Sequence, residues 1–229
     1  MTNPRLLELA NRLGNEGLPR ENDKPKISTI AETPELKGYV YIPSINLYVA
    51  KEKILHEKNW YDTHQELHKQ GLQMLTIPQF ILFINYLKSS PSNQEYQNIL
   101  DEILTVRNPW RSEWLDADFK VINDKLNINY NHRTINGKLK PQNSEPLEEC
   151  LMQNKTPGID LDSWLRNPTK QGLPRKDVKD GGLYYWCPMS DNNSVARFVA
   201  NSDRAVLNCD WDPQYSNSGL GVRPCVAPR

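Results

Sequence analysis

The first 37 residues combine one short apolar repeat with a long polar stretch. Leucines and an alanine recur at helical spacing between Pro4 and Leu13 and predict a short helix that Gly14 ends. The residues that follow are rich in Pro, Glu, Asn and Lys and have little apolar content. Residues 1–37 are therefore predicted to form an N-terminal helix and an extended arm, and residues 38–229 the main domain.

From Gly38 the apolar residues change first to an extended and then to a helical pattern. β-Branched and aromatic residues on both sides of Pro43-Ser44 predict two strands that meet at a turn there. Beyond them, apolar residues gather on one face of each of three predicted helices, at 59–70, 79–88 and 93–106.

The middle of the chain is polar, rich in Asn and Pro, and only weakly periodic. Short strands such as Phe119 to Ile122 are the clearest elements in it. Residues 107–180 are interpreted as a long insertion of strands and loops.

The last part of the chain returns to short strands separated by turn residues. Strands are predicted at 183–187, 195–200, 204–209 and 220–223. In the third of these, the apolar Ala205, Leu207 and Cys209 alternate with a second set. The apolar set is expected to face the core, and the second set to form a row on an exposed sheet face: Arg204, Val206, Asn208 and Asp210.

Composition and charge narrow the function classes. The 229 residues fit one large domain or one domain with a sizeable insertion. Lys and Arg total 28, and Asp and Glu also 28, which argues against a nucleic-acid binder. The longest apolar run, Phe80 to Ile84, is too short to span a membrane, and the N-terminus shows no secretory signal. A soluble globular protein is expected, with its site of display left open.

No motif predicts catalysis, a cofactor or a metal. His64 and His68 are four residues apart, but Glu66 is in neither the zincin nor the inverzincin position, which favours a solvated helix face. Two Asp-x-Asp pairs, at 160–162 and 210–212, are interpreted as exposed loop carboxylates. The cysteines at 187, 209 and 225 are interpreted as small buried side chains, with a disulfide as the alternative.

The C-terminal strands resemble the variable region of diversity-generating retroelement proteins, in particular the archaeal, nanoarchaeal-type members. The resemblance rests on the segments 195–200 and 204–209, Asp212-Pro213, and the ending Ser218 to Pro224. Upstream, Asn59-Trp60 and the stretch from Gly71 to Phe80 resemble the two-helix half of the same fold. The resemblance covers about residues 38–90 and 181–225.

The resemblance implies an α+β protein with a C-type lectin fold: two helices, a small antiparallel sheet and a long insertion. It also implies a non-enzymatic, receptor- or adhesion-type protein. Its exposed C-terminal face, at about 184–223, would be rewritten by the retroelement to bind a protein or surface molecule of another cell or virus.

The expected ligand-binding residues are polar or aromatic side chains of this region, a composition that suits adaptable binding surfaces. They are Asn201, Asp203, Arg204, Val206, Asn208, Asp210, Trp211, Asp212, Tyr215 and Asn217, extended to Tyr185, Asp191, Asn192 and Asn193. Trp211 and Tyr215 are expected to act as apolar anchors. Arg223 is assigned to the scaffold, where it would satisfy buried carbonyls or a carboxylate.

Two other classes stay open. Formylglycine-generating enzymes share this fold and bind copper through a cysteine pair, so an oxygenase of that type is one alternative. The Gly-Val-Arg ending at 221–223 departs from the Gly-Phe-Arg of those enzymes. The other alternative is a structural surface or virion component whose C-terminal face is only solvated. The oligomeric state is left open.

Overall fold

The computed structural model describes residues 36–149 and 151–228, and the predicted N-terminal helix lies outside them. Its helices are α1 (Trp60–Lys69), α2 (Ile77–Lys88), α3 (Gln94–Leu104) and α4 (Leu161–Arg166). Its strands are β1 (Tyr39–Ile42), β2 (Leu47–Ala50), β3 (Gln73–Met74), β4 (Arg111–Ile122), β5 (Lys125–Tyr130), β6 (Arg133–Ile135), β7 (Lys138–Lys140), β8 (Asn143–Pro146), β9 (Lys155–Ile159), β10 (Leu183–Trp186), β11 (Ser194–Ala200), β12 (Ala205–Trp211), β13 (Leu220–Gly221) and β14 (Pro224–Val226). None of the described helices has the length and apolar character needed to cross a bilayer.

Side-chain caps fix the starts of the three long helices at the predicted places. The Asn59 side chain accepts a hydrogen bond from the Asp62 N–H, and Asn93 accepts one from Tyr96. Thr76 and Gln79 form a reciprocal capping box at the start of α2. The helices predicted at 59–70, 79–88 and 93–106 are confirmed.

The described chain is α+β as expected, with two larger sheets and a two-stranded sheet formed by β6 and β7. The larger runs in the order β8-β5-β4-β11-β12-β10-β9, with β13 paired in parallel with the first residues of β4. The smaller has the order β1-β2-β14-β3. The C-terminal strand β14 therefore lies between β2 and β3, two strands from the start of the domain. Most neighbours are antiparallel, whereas β10 and β12 pair in parallel.

The segment at 107–180, predicted as a long insertion of strands and loops, consists of strands, loops and the short helix α4. It supplies β4, the longest strand, which lies inside the larger sheet with β5 on one side and β11 on the other. The first nine residues of β4 are all buried, including Glu113 and Asp116. Because both faces of β4 are covered, its sequence lacks the alternation that marks a half-exposed strand.

Two apolar clusters form the core. The larger packs α2 and α3 against the sheet, and the rings of Phe80 and Phe198 lie 5.2 Å apart between their centroids. We name the smaller the second core cluster; its buried members are Trp60, Leu67, Met74, Trp114, Val195, Leu220 and Val222.

A buried ion pair joins β4 to the C-terminal segment. Arg223 Nη2 lies 2.8 Å from Glu113 Oε1 and 2.8 Å from Glu102 Oε2, and Arg223 is only 1% exposed. Its Nη1 donates to the carbonyls of Ala50 and Lys51. The predicted scaffold role of Arg223 is confirmed.

We expect Glu113→Gln to lower the free energy of unfolding by about 3 kcal/mol, because it removes one partner of a buried charge pair. Glu95→Gln is the matched control, since the Glu95–Lys51 pair is exposed and should contribute less than about 1 kcal/mol. Urea unfolding followed by circular dichroism measures both. Equal losses in the two variants would contradict this account.

Candidate functional site

A bulge in β12 sets the geometry of the candidate site. Residues of β11 and β12 pair in a regular antiparallel register as far as Arg197 and Asn208, and the next pair is Val195 with Trp211. One residue of β11 therefore faces two of β12, which defines a β-bulge. Since Val195 and Arg197 share one face of β11, the bulge brings Trp211 to the face of Arg197.

Three aromatic rings surround the guanidinium of Arg197. Its Cζ lies 3.3 Å from the ring centroid of Trp211, 5.9 Å from that of Tyr215 and 6.0 Å from that of Trp110. The rings of Trp211 and Tyr215 are perpendicular, with centroids 5.3 Å apart. All three rings are half-buried, so part of each reaches the surface. We name these four residues the Arg197 cluster.

Arg197 is a cation without a charged partner among the described residues. It is 6% exposed, and its Nε is buried without a hydrogen-bond acceptor. Burial lowers the pKa of the guanidinium to about 9, although Tyr215 and Asp210 oppose that shift. An uncompensated buried charge is costly, and the ring contacts offset part of that cost for the guanidinium of Arg197.

The loop after β12 carries Tyr215, a member of the Arg197 cluster. Its backbone is fixed to the domain by hydrogen bonds from Trp60 N–H to the carbonyl of Pro213 (3.0 Å) and from Glu57 N–H to that of Asn217 (3.2 Å). Within the loop, the side chains of Asp212 and Asn217 each accept a hydrogen bond from a backbone N–H two residues later. These two side chains therefore support the turn as well as face solvent.

Eight of the predicted binding residues gather at this end of the β11–β12 hairpin. They are Asp191, Asn192, Asn193, Asp210, Trp211, Asp212, Tyr215 and Asn217. The 191–193 loop precedes the start of β11, which pairs with the end of β12. The Asn192 side chain accepts a hydrogen bond from the Val121 N–H at the end of β4. Asp191 is close enough to Asp210 to raise its pKa, although burial is the larger cause of that shift.

Three other predicted residues lie at the opposite end of the hairpin. Asn201 Oδ1 accepts the Arg204 N–H at 2.9 Å in the turn, and Arg204 pairs with Asp203 while it packs over the ring of Tyr184. A strand rises about 3.3 Å per residue, so β12 separates this turn from Trp211 by about 20 Å. The predicted residues thus form two patches rather than one surface.

The predicted exposure is wrong for Val206, Asn208 and Tyr185, which are 5%, 6% and 1% exposed. Val206 and Asn208 do face away from Leu207 and Cys209, but the face they share with Val199 and Arg197 is itself covered. Tyr185 pairs with Leu207 across the parallel strands and points into the larger core cluster. Alternation separates the two faces of a strand but does not show whether both are covered.

The three cysteines of the resolved C-terminal region are free thiols. Cys209 and Cys225 are fully buried and Cys187 is half-buried, and burial raises the pKa of all three. Cys225 belongs to the smaller sheet, apart from the strands that carry the other two.

The prediction of a solvated His64–His68 helix face is wrong for His64, which is 0% exposed. His64 packs against Trp60, with ring centroids 4.3 Å apart, and its Nε2 lies 3.5 Å from Asp116 Oδ1. Burial lowers the pKa of His64 to about 3, although Asp116 attracts its charged form. The ring of His132 also approaches Asp116 Oδ1 and lies 5.3 Å from that of His64 between centroids. Burial lowers the pKa of His132, but the hydrogen bond to Asp116 and the nearby charge of Asp118 outweigh it and raise the pKa to about 9.

Comparisons of the chain with family models, with curated proteins and with solved structures gave no match.

Sequence reasoning did not find Arg197 or Trp110 as site residues. Both are distant in sequence from Trp211 and Tyr215, and only the sheet pairing brings them together. The one available signal was the arginine in the otherwise apolar strand Val195 to Ala200, where a charged residue needs a special environment.

We expect Arg197→Met to raise the free energy of unfolding by about 1 kcal/mol, because an apolar side chain of similar length replaces an unpaired buried charge. Arg111→Met is the matched control. Arg111 is similarly buried and its Nε and Nη1 also lack partners, but its Nη2 donates to the carbonyls of Asp101 and Thr105 at the end of α3. The loss of these two hydrogen bonds should destabilise the fold by about 1 to 2 kcal/mol. Guanidinium unfolding separates the two outcomes, and destabilisation by both variants would contradict the first.

Proposed function

We propose that this chain is a non-enzymatic, receptor- or adhesion-type protein that binds its ligand at the Arg197 cluster. The observation that carries the proposal is an arginine without an ion-pair partner among the described residues, enclosed by three half-exposed rings. Such an arrangement stabilises the fold little, and it combines the two residue types that dominate binding hot spots, aromatic rings and arginine.

The surroundings of the cluster fit recognition of a protein or another surface molecule. Asp191, Asp210 and Asp212 add hydrogen-bond acceptors around the rings. Trp110 also lines a groove of about 370 Å³ with Lys53 and Arg107, which offers room for a ligand side chain. A backbone held by its own hydrogen bonds presents these groups in a fixed geometry, which limits the entropy lost on binding.

We further propose that the exposed residues at this end are the diversified positions of a retroelement variable protein with a C-type lectin fold. The sequence resemblance of the last strands supports this, as does the exposure of the loops at 191–193 and 212–218. Side chains there can change without disturbing the core, whereas Val206, Asn208 and Tyr185 are packed on all sides. Diversification is therefore confined to fewer positions than the strand pattern predicts.

The first test is the DNA sequence around the gene. We expect a neighbouring reverse transcriptase gene and a near-copy of the last segment that differs from it only at adenines. Among independent copies, substitutions should fall on positions 191–193, 210, 212 and 217 and spare 185, 206 and 208. If both the reverse transcriptase gene and the near-copy are missing, the diversification proposal fails.

The second test is binding. A peptide array probed with the purified chain supplies a ligand, and Trp211→Ala and Tyr215→Ala are each expected to weaken its binding by 10-fold or more, since both remove an anchor of about 2 kcal/mol. Tyr184→Ala is the matched control, because this half-exposed ring lies at the opposite end of the hairpin. Equal affinity of all three variants for the captured peptides would place the binding site elsewhere.

A further inference from the structure

We propose that His64, Asp116 and His132 form a binding site for one divalent transition-metal ion, of which Zn²⁺ is the best fit. The site is separate from the Arg197 cluster, and the inference does not depend on the proposed function. It joins three parts of the domain that are distant in sequence: helix α1, the middle of β4, and the turn between β5 and β6.

One possible ligand atom from each of the three residues lies close to those of the other two. His64 Nε2 lies 3.5 Å and His132 Nδ1 2.5 Å from Asp116 Oδ1, and a set of one ligand atom from each residue fits within 4.8 Å. Ligands about 2.1 Å from a tetrahedral zinc ion are about 3.4 Å apart. An ion between the three atoms would therefore require shifts of about 1 Å or less.

His64 supplies the observation that a purely protein-based network leaves unexplained. Both of its ring nitrogens are buried and neither has a hydrogen-bond partner. The hydrogen bond from His132 to Asp116 satisfies those two residues in the metal-free chain, but it does not extend to His64. A buried ring nitrogen without a partner costs about 1 to 3 kcal/mol, and a metal ion bound at Nε2 would remove that cost for one of the two nitrogens.

Hydrogen bonds hold two of the three ligands, Asp116 and His132, in place as the second shell of a metal site does. Asp116 lies where the register of β4 and β11 shifts, so a bulge directs its side chain away from the regular ladder. Asp116 Oδ2 accepts the backbone N–H of His132 at 3.0 Å, which leaves Oδ1 toward both rings. Trp60 packs edge-on against both imidazoles, and its own Nε1 donates to the carbonyl of Leu115.

A small cavity borders Asp116, although neither histidine of the cluster lines it. It has a volume of about 40 Å³ and is lined by Asp116, Thr76, Gln171 and other residues. This volume admits a single water molecule. Two imidazoles and one carboxylate suit Zn²⁺ or Co²⁺, whereas Mg²⁺ and Ca²⁺ prefer oxygen ligands alone.

The burial of all three ligands predicts a structural role. His64 is 0%, Asp116 3% and His132 4% exposed, so a substrate cannot reach the ion. Binding should therefore be coupled to folding, and a bound ion should leave only when the domain opens.

The test uses the full chain, unfolded in guanidinium with EDTA and refolded with or without ZnCl₂ or CoCl₂. We expect about one zinc per chain after desalting, measured by elemental analysis, and a higher midpoint of thermal unfolding than in the metal-free chain. Refolding with Co²⁺ should give the visible absorption of a tetrahedral site with nitrogen and oxygen ligands. A refolded chain that retains no metal would overturn the proposal.

His64→Gln tests the assignment of the ligands, and His56→Gln is its matched control because His56 is exposed. The first variant should lose the bound zinc and the second should keep it. Stoichiometric zinc in His64→Gln would overturn the proposal. If His64→Gln does not refold, the Co²⁺ spectrum of the unmodified chain decides, since a thiolate charge-transfer band would assign the ion to the cysteines and reject this site.

Discussion

The ion pair between Glu113 and Arg223 links parts of the chain that share no local contact in sequence. It connects the central strand β4 with the segment that leads into β14, and Arg223 also binds the carbonyls that end β2. A buried charge pair is favourable only when every remaining donor and acceptor is satisfied, so this arrangement tolerates few alternatives. It is one of the links between the two sheets, because β14 enters the smaller sheet directly after Arg223.

Irregularities of the larger sheet, rather than its regular strands, create both sites. The bulge in β12 moves Trp211 onto the face of Arg197, and the shift in β4 turns Asp116 toward His64 and His132. Bulges are common next to functional sites because they redirect one side chain while the neighbouring strands keep their pairing. The bulge in β12 positions the half-buried ring of Trp211, and the shift in β4 positions the buried carboxylate of Asp116.

The Arg197 cluster and the histidine cluster differ in what they can contribute. The rings around Arg197 are half-exposed and the cation is unpaired, so a partner from outside can complete the site. The two histidines and Asp116 are enclosed, so only a group as small as a metal ion could join them. The proposed recognition at the surface and the proposed stabilisation in the interior would therefore use separate groups. The second core cluster lies between them, because it includes Trp60 and packs against Trp211.

The sequence by itself determined the elements whose signals are local: the capped helices that begin after Asn59, Thr76 and Asn93, and the short C-terminal strands. It also determined the core face of Leu207 and Cys209, because alternation depends only on the strand. Only the tertiary structure decided which polar residues are buried, since that depends on what covers the second face. Its strand pairing placed Arg197 beside Trp211 and enclosed His64 with Asp116 and His132. Such contacts between distant residues leave no periodic signal, because the partner of a buried polar group is chosen in space and not along the chain.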